Sequence, residues 1–289
     1  MQQSSATPDG VLLVDKAAGM TSHDVVALVR RRLQIRKVGH CGTLDPIATG
    51  LLLLTLGRGT KIQDLLMAED KEYSGTMMFG ATTSTQDREG EIIEQREVPA
   101  LDEKKIRPAF EKFRGDFYQT PPMVSAIKHS GVPLYKLARQ GKTVEREPRL
   151  VHVYRYSIDR IALPKVDFTV VCSKGFYVRT YAHDIGAELG CGAHLYSLRR
   201  VKSGRFDVAN AVSVDQIKKW RPVRNCRACA FVAAGFPDAG SVRGMTKQIR
   251  MTHDQSRCVF DIRISSFLRH SSFVLRHSAA FVIRASSFI

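Results

Sequence analysis

An aspartate directly before a proline stands in a glycine-rich segment, and its carboxylate could act as a nucleophile. The segment covers residues 37–50, has glycines at 39, 42 and 50, and places Asp45 before Pro46. Proline biases the preceding residue toward an extended backbone, and glycine permits conformations that other residues avoid. A carboxylate on a stiff loop ahead of a buried strand suits covalent catalysis. The alternative is an ordinary turn whose aspartate bonds its own backbone.

Apolar strands and amphipathic helices surround this segment. Strands are predicted at residues 11–14, 51–56, 73–79 and 166–172, and the unbroken apolar run 51–56 is typical of a central strand. One helix is predicted to begin with Ser22 as its cap and to carry arginines 30–32 near its end. A second helix is predicted to carry Tyr181, Ile185 and Leu189 on one side and to end before Gly190. The pattern predicts a mixed α/β domain.

Composition and charge narrow the class of partner. A chain of 289 residues with 44% hydrophobic content can bury a full core, and its net charge of +16 favours polyanions such as nucleic acid. A basic protein without such a partner is the alternative. The six cysteines have no regular spacing, no secretory signal is evident, and no apolar run reaches 18 residues. We therefore expect a cytoplasmic protein with free thiols and no membrane span.

The C-terminal tail differs from the rest of the chain. Residues 221–289 contain 11 Lys and Arg, three Asp and no Glu, and Ser-Ser-Phe segments recur near the end. We interpret this tail as repeat-derived or out-of-frame sequence that folds poorly; a basic RNA-contacting arm is the alternative. Cys226, Cys229, His253 and Cys258 could supply zinc ligands, but their loose spacing disfavours a site, and no metal is expected.

A set of motifs gives the chain a family resemblance. The central motif reads Gly39-His40-Cys41-Gly42-Thr43-Leu44-Asp45-Pro46-Ile47-Ala48-Thr49-Gly50, followed by Gly57, Thr60 and Lys61. The others are Val14-Asp15-Lys16 with Gly19-Met20-Thr21-Ser22, Lys71-Glu72-Tyr73, Gln119 to Lys128 with Tyr135, Ala138-Arg139 and Gly141, Cys172 to Thr180, and His194 to Arg200. In this order they resemble the motifs of the TruB family of pseudouridine synthases, over most of residues 10–207. Ala17 in place of proline, Cys41 in place of threonine, and the tail depart from the family pattern.

The resemblance implies a fold and a reaction. The fold would be the α/β (α+β) pseudouridine synthase fold, a mixed, mostly antiparallel sheet with flanking helices and a central RNA-binding cleft. The reaction would convert uridine 55 in the T-arm of tRNA to pseudouridine, after the base is flipped out of its stack. Asp45 would be the nucleophile, attacking either the ribose or the base, and Arg179 would pair with it and hold it ionised. Neither metal nor coenzyme is required.

The resemblance also implies binding residues. Tyr177 and Leu198 would line the pocket beside Arg179, Tyr73 would stack on the flipped uracil, and His40 would help to occupy the space that the flipped bases leave. Further basic side chains would contact RNA: Lys16, Lys61, Lys128, Arg139 and Lys142. Without the resemblance, the tyrosines would be ordinary sheet aromatics and the basic side chains a solvated face.

Domain boundaries and partners complete the expectations. Residues 1–9 are predicted to be a disordered lead-in, 10–207 the catalytic domain with a tRNA-arm-binding insertion at 119–149, and 208–220 the start of a C-terminal extension. A monomer without an obligate protein partner is expected. The competing hypotheses are a tRNA-folding chaperone and a guide-dependent synthase that acts on ribosomal RNA within a complex. The insertion argues for stand-alone recognition of tRNA.

Overall fold

The computed structural model describes residues 8–220 and, as backbone alone, two short strands of the tail. Residues 128 and 129 are likewise described by their backbone only. Of the predicted lead-in, residues 1–7 lie outside the described part of the chain. The remainder of the tail, with Cys226, Cys229 and His253, also lies outside them, so the interpretation of that region stays a prediction.

The elements alternate along the chain as expected. The strands are β1 (Gly10–Lys16), β2 (Val38–His40), β3 (Thr49–Leu56), β4 (Lys71–Phe79), β5 (Ala81–Thr83), β6 (Ile92–Gln95), β7 (Gly115–Gln119), β8 (Lys128–His129), β9 (Val132–Pro133), β10 (Arg149–Ala162), β11 (Lys165–Cys172), β12 (Ala193–Ser203), β13 (Phe206–Asp207), β14 (Val212–Ser213), β15 (Cys258–Ile262) and β16 (Phe281–Ala285). The α-helices are α1 (Ser22–Leu33), α2 (Gln63–Ala68), α3 (Glu103–Lys112), α4 (Leu134–Ala138), α5 (Val178–Glu188) and α6 (Val214–Lys219). Short 3-10 helices occupy Gly57–Ile62 and Val208–Asn210.

One large sheet organises the described residues. Its strand order is β14-β1-β3-β12-β4-β11-β10-β7, with β2 paired to β3 and β13 paired to β12. The pairs β14–β1 and β3–β12 are parallel, and the other pairs are antiparallel. The expected mixed, mostly antiparallel sheet with several helices is confirmed.

The core lies where helices cover one face of the sheet. Alternate residues of β11 are buried with no exposed surface, among them Phe168. Phe110 of α3 and Tyr181 of α5 pack against it, and their rings meet edge to face with centroids 5.8 Å apart. Strand β3 is buried on both faces, as its unbroken apolar run predicted.

The cap of α1 corrects one expectation. Thr21, rather than Ser22, is the N-cap: its hydroxyl accepts a hydrogen bond from the Asp24 backbone N–H at 3.1 Å. In the reciprocal hydrogen bond, the Asp24 carboxylate accepts from the Thr21 backbone N–H at 2.8 Å. The sequence could not separate two adjacent hydroxyl residues, since both are good caps. Ser22 is instead buried and contacts a loop described below.

Replacement of the true cap should cost stability. We expect Thr21→Ala to lower the free energy of unfolding by about 1 kcal/mol, because it removes one partner of a reciprocal capping pair. Urea denaturation measures this change, and Thr21→Ser, which keeps the hydroxyl, should lie close to wild type. Equal losses in the alanine and serine variants would contradict the assigned cap.

Candidate active site

Asp45 and Arg179 form an ion pair across 134 residues of sequence. Arg179 is the second residue of α5, and its Nε lies 2.9 Å from Asp45 Oδ2. A second hydrogen bond runs from Arg179 Nη2 to Asp45 Oδ1 at 3.3 Å. The Arg179 side chain is only 3% exposed, whereas that of Asp45 is 34% exposed. The predicted contact is therefore present, with the carboxylate open on one side and the arginine enclosed.

Arg179 also contacts two other parts of the chain. Nη1 donates to the Thr85 carbonyl at 2.8 Å, and Nη2 donates to the Val124 carbonyl at 2.6 Å. Nη1 also lies 3.7 Å from Oδ2 of Asp87, which is nearly buried. Full use of the guanidinium fork explains why a buried arginine is tolerated here. One side chain thus joins the Asp45 loop, the β5–β6 loop and the insertion.

Asp87 is a site residue that the sequence analysis missed. It stands in the loop between β5 and β6, and its Oδ1 accepts hydrogen bonds from Thr85 Oγ1 at 2.5 Å and the Glu89 N–H at 3.0 Å. Backbone hydrogen bonds between this loop and Leu195 of β12 hold it in place. An acidic residue in a polar loop resembles any solvated turn, so local sequence carried no signal for it.

The surroundings of Asp45 change the pKa of its carboxyl group. Burial raises the pKa of Asp45 above its ordinary value; Arg179 opposes that shift, and the charge of Asp87 adds to it. The net shift is upward, so burial outweighs the expected stabilisation of the ionised form by Arg179. Asp45 is therefore more basic than a solvated aspartate while it remains paired with a cation.

Neighbouring side chains hold the backbone of the Asp45 loop. Ser22 Oγ accepts from the Leu44 N–H at 2.9 Å and donates to the Leu44 carbonyl at 3.3 Å. Lys16 Nζ donates to the carbonyls of Met20 at 2.7 Å and Pro46 at 3.4 Å. The residues before and after Asp45 are thus held by side chains from β1 and the start of α1.

The position of Lys16 corrects the expectation that it binds RNA. Its side chain is wholly buried, and burial lowers its pKa to about 8. An ammonium group enclosed in this way does not reach a phosphate, and its hydrogen bonds go to backbone carbonyls. Lys16 is therefore a structural support of the Asp45 loop.

Three of the predicted pocket residues lie on β4, on β12 and at the start of α5. Tyr73 on β4 is the register partner of Arg200 on β12, and Leu198 is the partner of Gly75. Burial raises the pKa of both Tyr73 and Tyr177, and the negative charge of Asp45 adds a smaller upward shift to each. Both tyrosines are half-buried, and Leu198 is buried.

His40 lies on β2 at the start of the loop. Its ring meets that of His23 edge to face, with centroids 5.3 Å apart. Burial lowers the pKa of His40, so the ring is neutral at pH 7. It stands beside the loop, and its predicted role in the space left by a flipped base stays a prediction.

The insertion is fastened to the site at its first residue. Gln119 Oε1 accepts from the Tyr177 N–H at 2.8 Å, and Gln119 Nε2 donates to the Tyr177 carbonyl at 3.1 Å. Together with the Val124 contact to Arg179, these bonds connect the base of the insertion to the start of α5. Displacement of the insertion would therefore act directly on the arginine that orients Asp45.

The predicted RNA-binding side chains differ in accessibility. Lys61, Arg139 and Lys142 are exposed, as phosphate contacts require. Arg139 lies over the ring of Tyr135, 5.6 Å from its centroid. Only the backbone of Lys128 is described. Arg146 is partly buried and donates to the Pro121 carbonyl at 2.9 Å, so it braces the insertion internally.

Other classes of site find no support in the described part of the chain. Within it, no group of three or more His, Cys, Asp or Glu side chains is arranged to hold a metal ion. The helices found there are also too short or too polar to cross a membrane.

Known proteins match this chain over the region just described. A family model for the TruB family pseudouridylate synthase N-terminal domain matches residues 30–178, and one for the tRNA pseudouridylate synthase B C-terminal domain matches residues 179–226. The division falls between Val178 and Arg179, yet Arg179 pairs with Asp45 and β12 pairs with β3 and β4. The two matched regions therefore share one sheet and one site.

Curated relatives cover most of the chain. The tRNA pseudouridine synthase B of Opitutus terrae is 54% identical over 210 residues, which are 73% of this chain and 87% of the relative. That of Syntrophotalea carbinolica is 48% identical over 214 residues, 74% of this chain and 70% of the relative.

Solved structures agree over a similar region. A chain of a Cbf5-Nop10-Gar1 complex is 32% identical with a TM-score of 0.57, and the match covers 72% of this chain and 53% of that one. A chain of an archaeal box H/ACA sRNP Nop10-Cbf5 complex is 30% identical with a TM-score of 0.54, covering 73% and 53%. The match thus spans about half the length of those solved chains. With the family model matched over 30–178 and the relative at 54% identity, this chain belongs to the TruB family of pseudouridylate synthases.

Proposed function

We propose that this protein converts a uridine in the T-arm of tRNA, uridine 55, to pseudouridine. The observation that carries the proposal is the partly exposed Asp45 carboxylate held by the buried Arg179. Relatives that are 54% and 48% identical to this chain over the aligned residues are named tRNA pseudouridine synthase B, which supports tRNA as the substrate. Action in the cytoplasm as a monomer is part of the same proposal.

The reaction is an isomerisation. The bond between ribose C1′ and uracil N1 breaks, the base turns, and a bond forms between C1′ and C5. The proton leaves C5 and N1 gains one, so no atoms or electrons are exchanged with a coenzyme. The protein must supply a nucleophile, hold the detached base and exclude water.

The site residues can divide these tasks. Asp45, with its raised basicity, acts as the nucleophile at the ribose or the base, and Arg179 fixes its orientation. Tyr73 contacts the uracil face and places its hydroxyl near the C5 proton. Leu198 and Tyr177 close the apolar wall of the pocket, and neutral His40 occupies space vacated by the flipped base.

The insertion provides a means of recognising the arm. Its exposed Arg139 and Lys142, with Lys61 outside it, are available to contact phosphates and position the T-arm. Gln119 and Val124 connect this surface to Arg179. This link between RNA contact and catalytic residues supports an enzyme over a tRNA-folding chaperone, whose function would not require an oriented carboxylate.

A direct assay tests the proposal. The purified full chain is incubated with an unmodified T-arm hairpin and with full-length tRNA transcript, and pseudouridine is mapped by chemical labelling. We expect modification of a single uridine in both substrates without added protein or guide RNA. Absence of product under single-turnover conditions would refute the proposal that the protein is an enzyme. Product that forms only when a guide RNA is present would favour the guide-dependent alternative.

The pH dependence of the reaction should reflect the environment of Asp45. Only its ionised form is nucleophilic, so the rate falls about tenfold per unit as the pH drops below its pKa. Because that pKa lies above the ordinary 3.8, the acid limb should appear at higher pH than for a solvated aspartate. Asp87→Asn removes a negative charge that raises the pKa of Asp45, so we expect the acid limb of the rate profile to move to lower pH.

Single-turnover rates between pH 4 and pH 8 measure this shift. Glu188→Gln is the matched control, since Glu188 pairs with Lys112 on the surface. An acid limb that moves upward in Asp87→Asn, or equally in both variants, would contradict the predicted coupling between the two aspartates.

A further inference from the structure

Arg200 is a buried cation that the reaction scheme above does not use. Its side chain is 1% exposed, in the middle of β12. Among residues 8–220 it has no ion-pairing carboxylate, whereas the adjacent Arg199 pairs with Asp15 at 2.8 Å on the opposite face of the strand. A buried charge without a counter-charge is costly, so its retention calls for a specific role.

The Arg200 guanidinium donates hydrogen bonds to backbone carbonyls that precede and follow Asp45 in the sequence. Arg200 Nε donates to the Leu51 carbonyl at 2.6 Å, and Nη2 donates to the Gly42 carbonyl at 3.2 Å. Gly42 precedes Asp45 by three residues, and Leu51 follows it by six. One rigid side chain therefore spans the two ends of the loop that carries the carboxylate.

The glycines of the loop are adapted to this arrangement. Gly42 has φ of +88°, and a Cβ there would lie 3.3 Å from Arg200 Nη1. Gly50 has φ of +96°, and a Cβ there would lie 2.3 Å from the Arg200 carbonyl oxygen. No side chain would fit at Gly50 beside the Arg200 backbone, and at Gly42 an added Cβ would press on the guanidinium.

Arg200 also faces Tyr73. The two residues are register partners on β12 and β4, and their side chains lie on the same face of the sheet. Burial raises the pKa of Tyr73, and the positive charge of Arg200 opposes this shift. The same guanidinium is thus in contact with the loop of Asp45 and in reach of the tyrosine that would hold the uracil.

We propose that Arg200 is a positioning residue of the isomerase site, which sets the Asp45 loop and the Tyr73 hydroxyl relative to one another. This inference rests on the proposed function. Lysine should not replace it, because a guanidinium offers donors in a fixed fork to two carbonyls, whereas an ammonium is a single point on a flexible stem. Arg200 acts through these partners and does not itself touch the reacting atoms.

Four variants test the inference with an unmodified T-arm hairpin. Arg200→Lys and Arg200→Gln are compared with Arg199→Lys and Arg199→Gln, which alter the half-buried neighbour on the opposite face of β12. The single-turnover rate constant, the Kd for RNA and the melting temperature are measured for each. The rate constant reports on folded, RNA-bound enzyme, so it does not fall merely because less protein is folded.

We expect Arg200→Lys to lower the rate constant at least tenfold and Arg200→Gln to lower it further, with Kd within threefold of wild type. Both Arg199 variants should keep the rate constant within twofold of wild type. A loss confined to melting temperature or to Kd would overturn the inference, since it would assign Arg200 a purely structural or RNA-binding role.

A second perturbation covers the case in which Arg200 variants do not fold. Gly42→Ala places a methyl group against Arg200 from the loop side, and Gly190→Ala is its control, because Gly190 has a similar φ of +76° with no atom within 4 Å of the added Cβ. We expect the rate constant to fall at least tenfold for Gly42→Ala alone. A wild-type rate in that variant would overturn the inference, whereas absence of product from the wild-type enzyme would instead refute the proposed function.

Discussion

Asp45→Asn is expected to abolish pseudouridine formation while tRNA binding stays near the wild-type level. The amide is close in size to the carboxylate but is not a nucleophile, so the rate should fall by at least about 10⁴-fold, as for other enzymes that lose their nucleophile. The loop should keep its conformation, since its hydrogen bonds to Ser22 and Lys16 involve the backbone of Leu44 and Pro46. Single-turnover product analysis and a filter-binding titration measure the two effects.

Asp116→Asn provides the matched control for this variant. Asp116 is an exposed aspartate that pairs with His152 at 2.7 Å, and its substitution should leave both rate and affinity unchanged. Residual activity above about 1% in Asp45→Asn would contradict the assignment of the nucleophile. A tRNA-folding benefit that survives the substitution would instead favour the chaperone hypothesis.

Arg179→Lys is expected to lower the rate by roughly 100-fold or more, even if the protein folds. Arg179 donates to Asp45, Thr85 and Val124 at once, and a lysine ammonium cannot reproduce this planar fork. Asp45 would lose its orientation, and the base of the insertion would lose its bond to the site. Because the exposed basic residues remain, Kd for tRNA should change much less than the rate.

Arg179→Met should also destabilise the fold. It leaves Asp87 and Asp45 without their shared cation, and breaking a buried ion pair on one side costs about 3–5 kcal/mol. The pKa of Asp45 should rise further, since the opposing charge is gone. Urea denaturation at pH 7 measures the loss, which should diminish at lower pH as Asp45, whose pKa is raised, becomes protonated.

An exposed arginine serves as the control for both Arg179 variants. Arg96 forms a surface pair with Glu94 at 2.7 Å, and Arg96→Met should change stability by less than about 1 kcal/mol. If Arg179→Met were as stable and as active as Arg96→Met, the buried ion pair would have no role in either folding or catalysis.

Local sequence determined the elements and the loop that carries the carboxylate. An unbroken apolar run predicted β3, and periods of two and 3.6 residues predicted the alternating burial of β11 and the buried side of α5. All three signals depend only on near neighbours in the sequence. The glycines at 42 and 50 likewise indicated a loop with unusual backbone angles, and both have positive φ. The pairing of Asp45 with Arg179 came from the family resemblance, since periodicity cannot link residues so far apart.

Tertiary structure alone decided where several polar side chains point. Lys16 was expected to face RNA but is buried, because Met20 and Pro46 lie over its end of β1 and their carbonyls accept its hydrogen bonds. Asp87 and Arg200 became part of the site only through the packing of the β5–β6 loop and β12 against distant strands. Such contacts join residues that are far apart in the sequence. They depend on strand register and on how loops pack against the sheet, so no local sequence pattern predicts them.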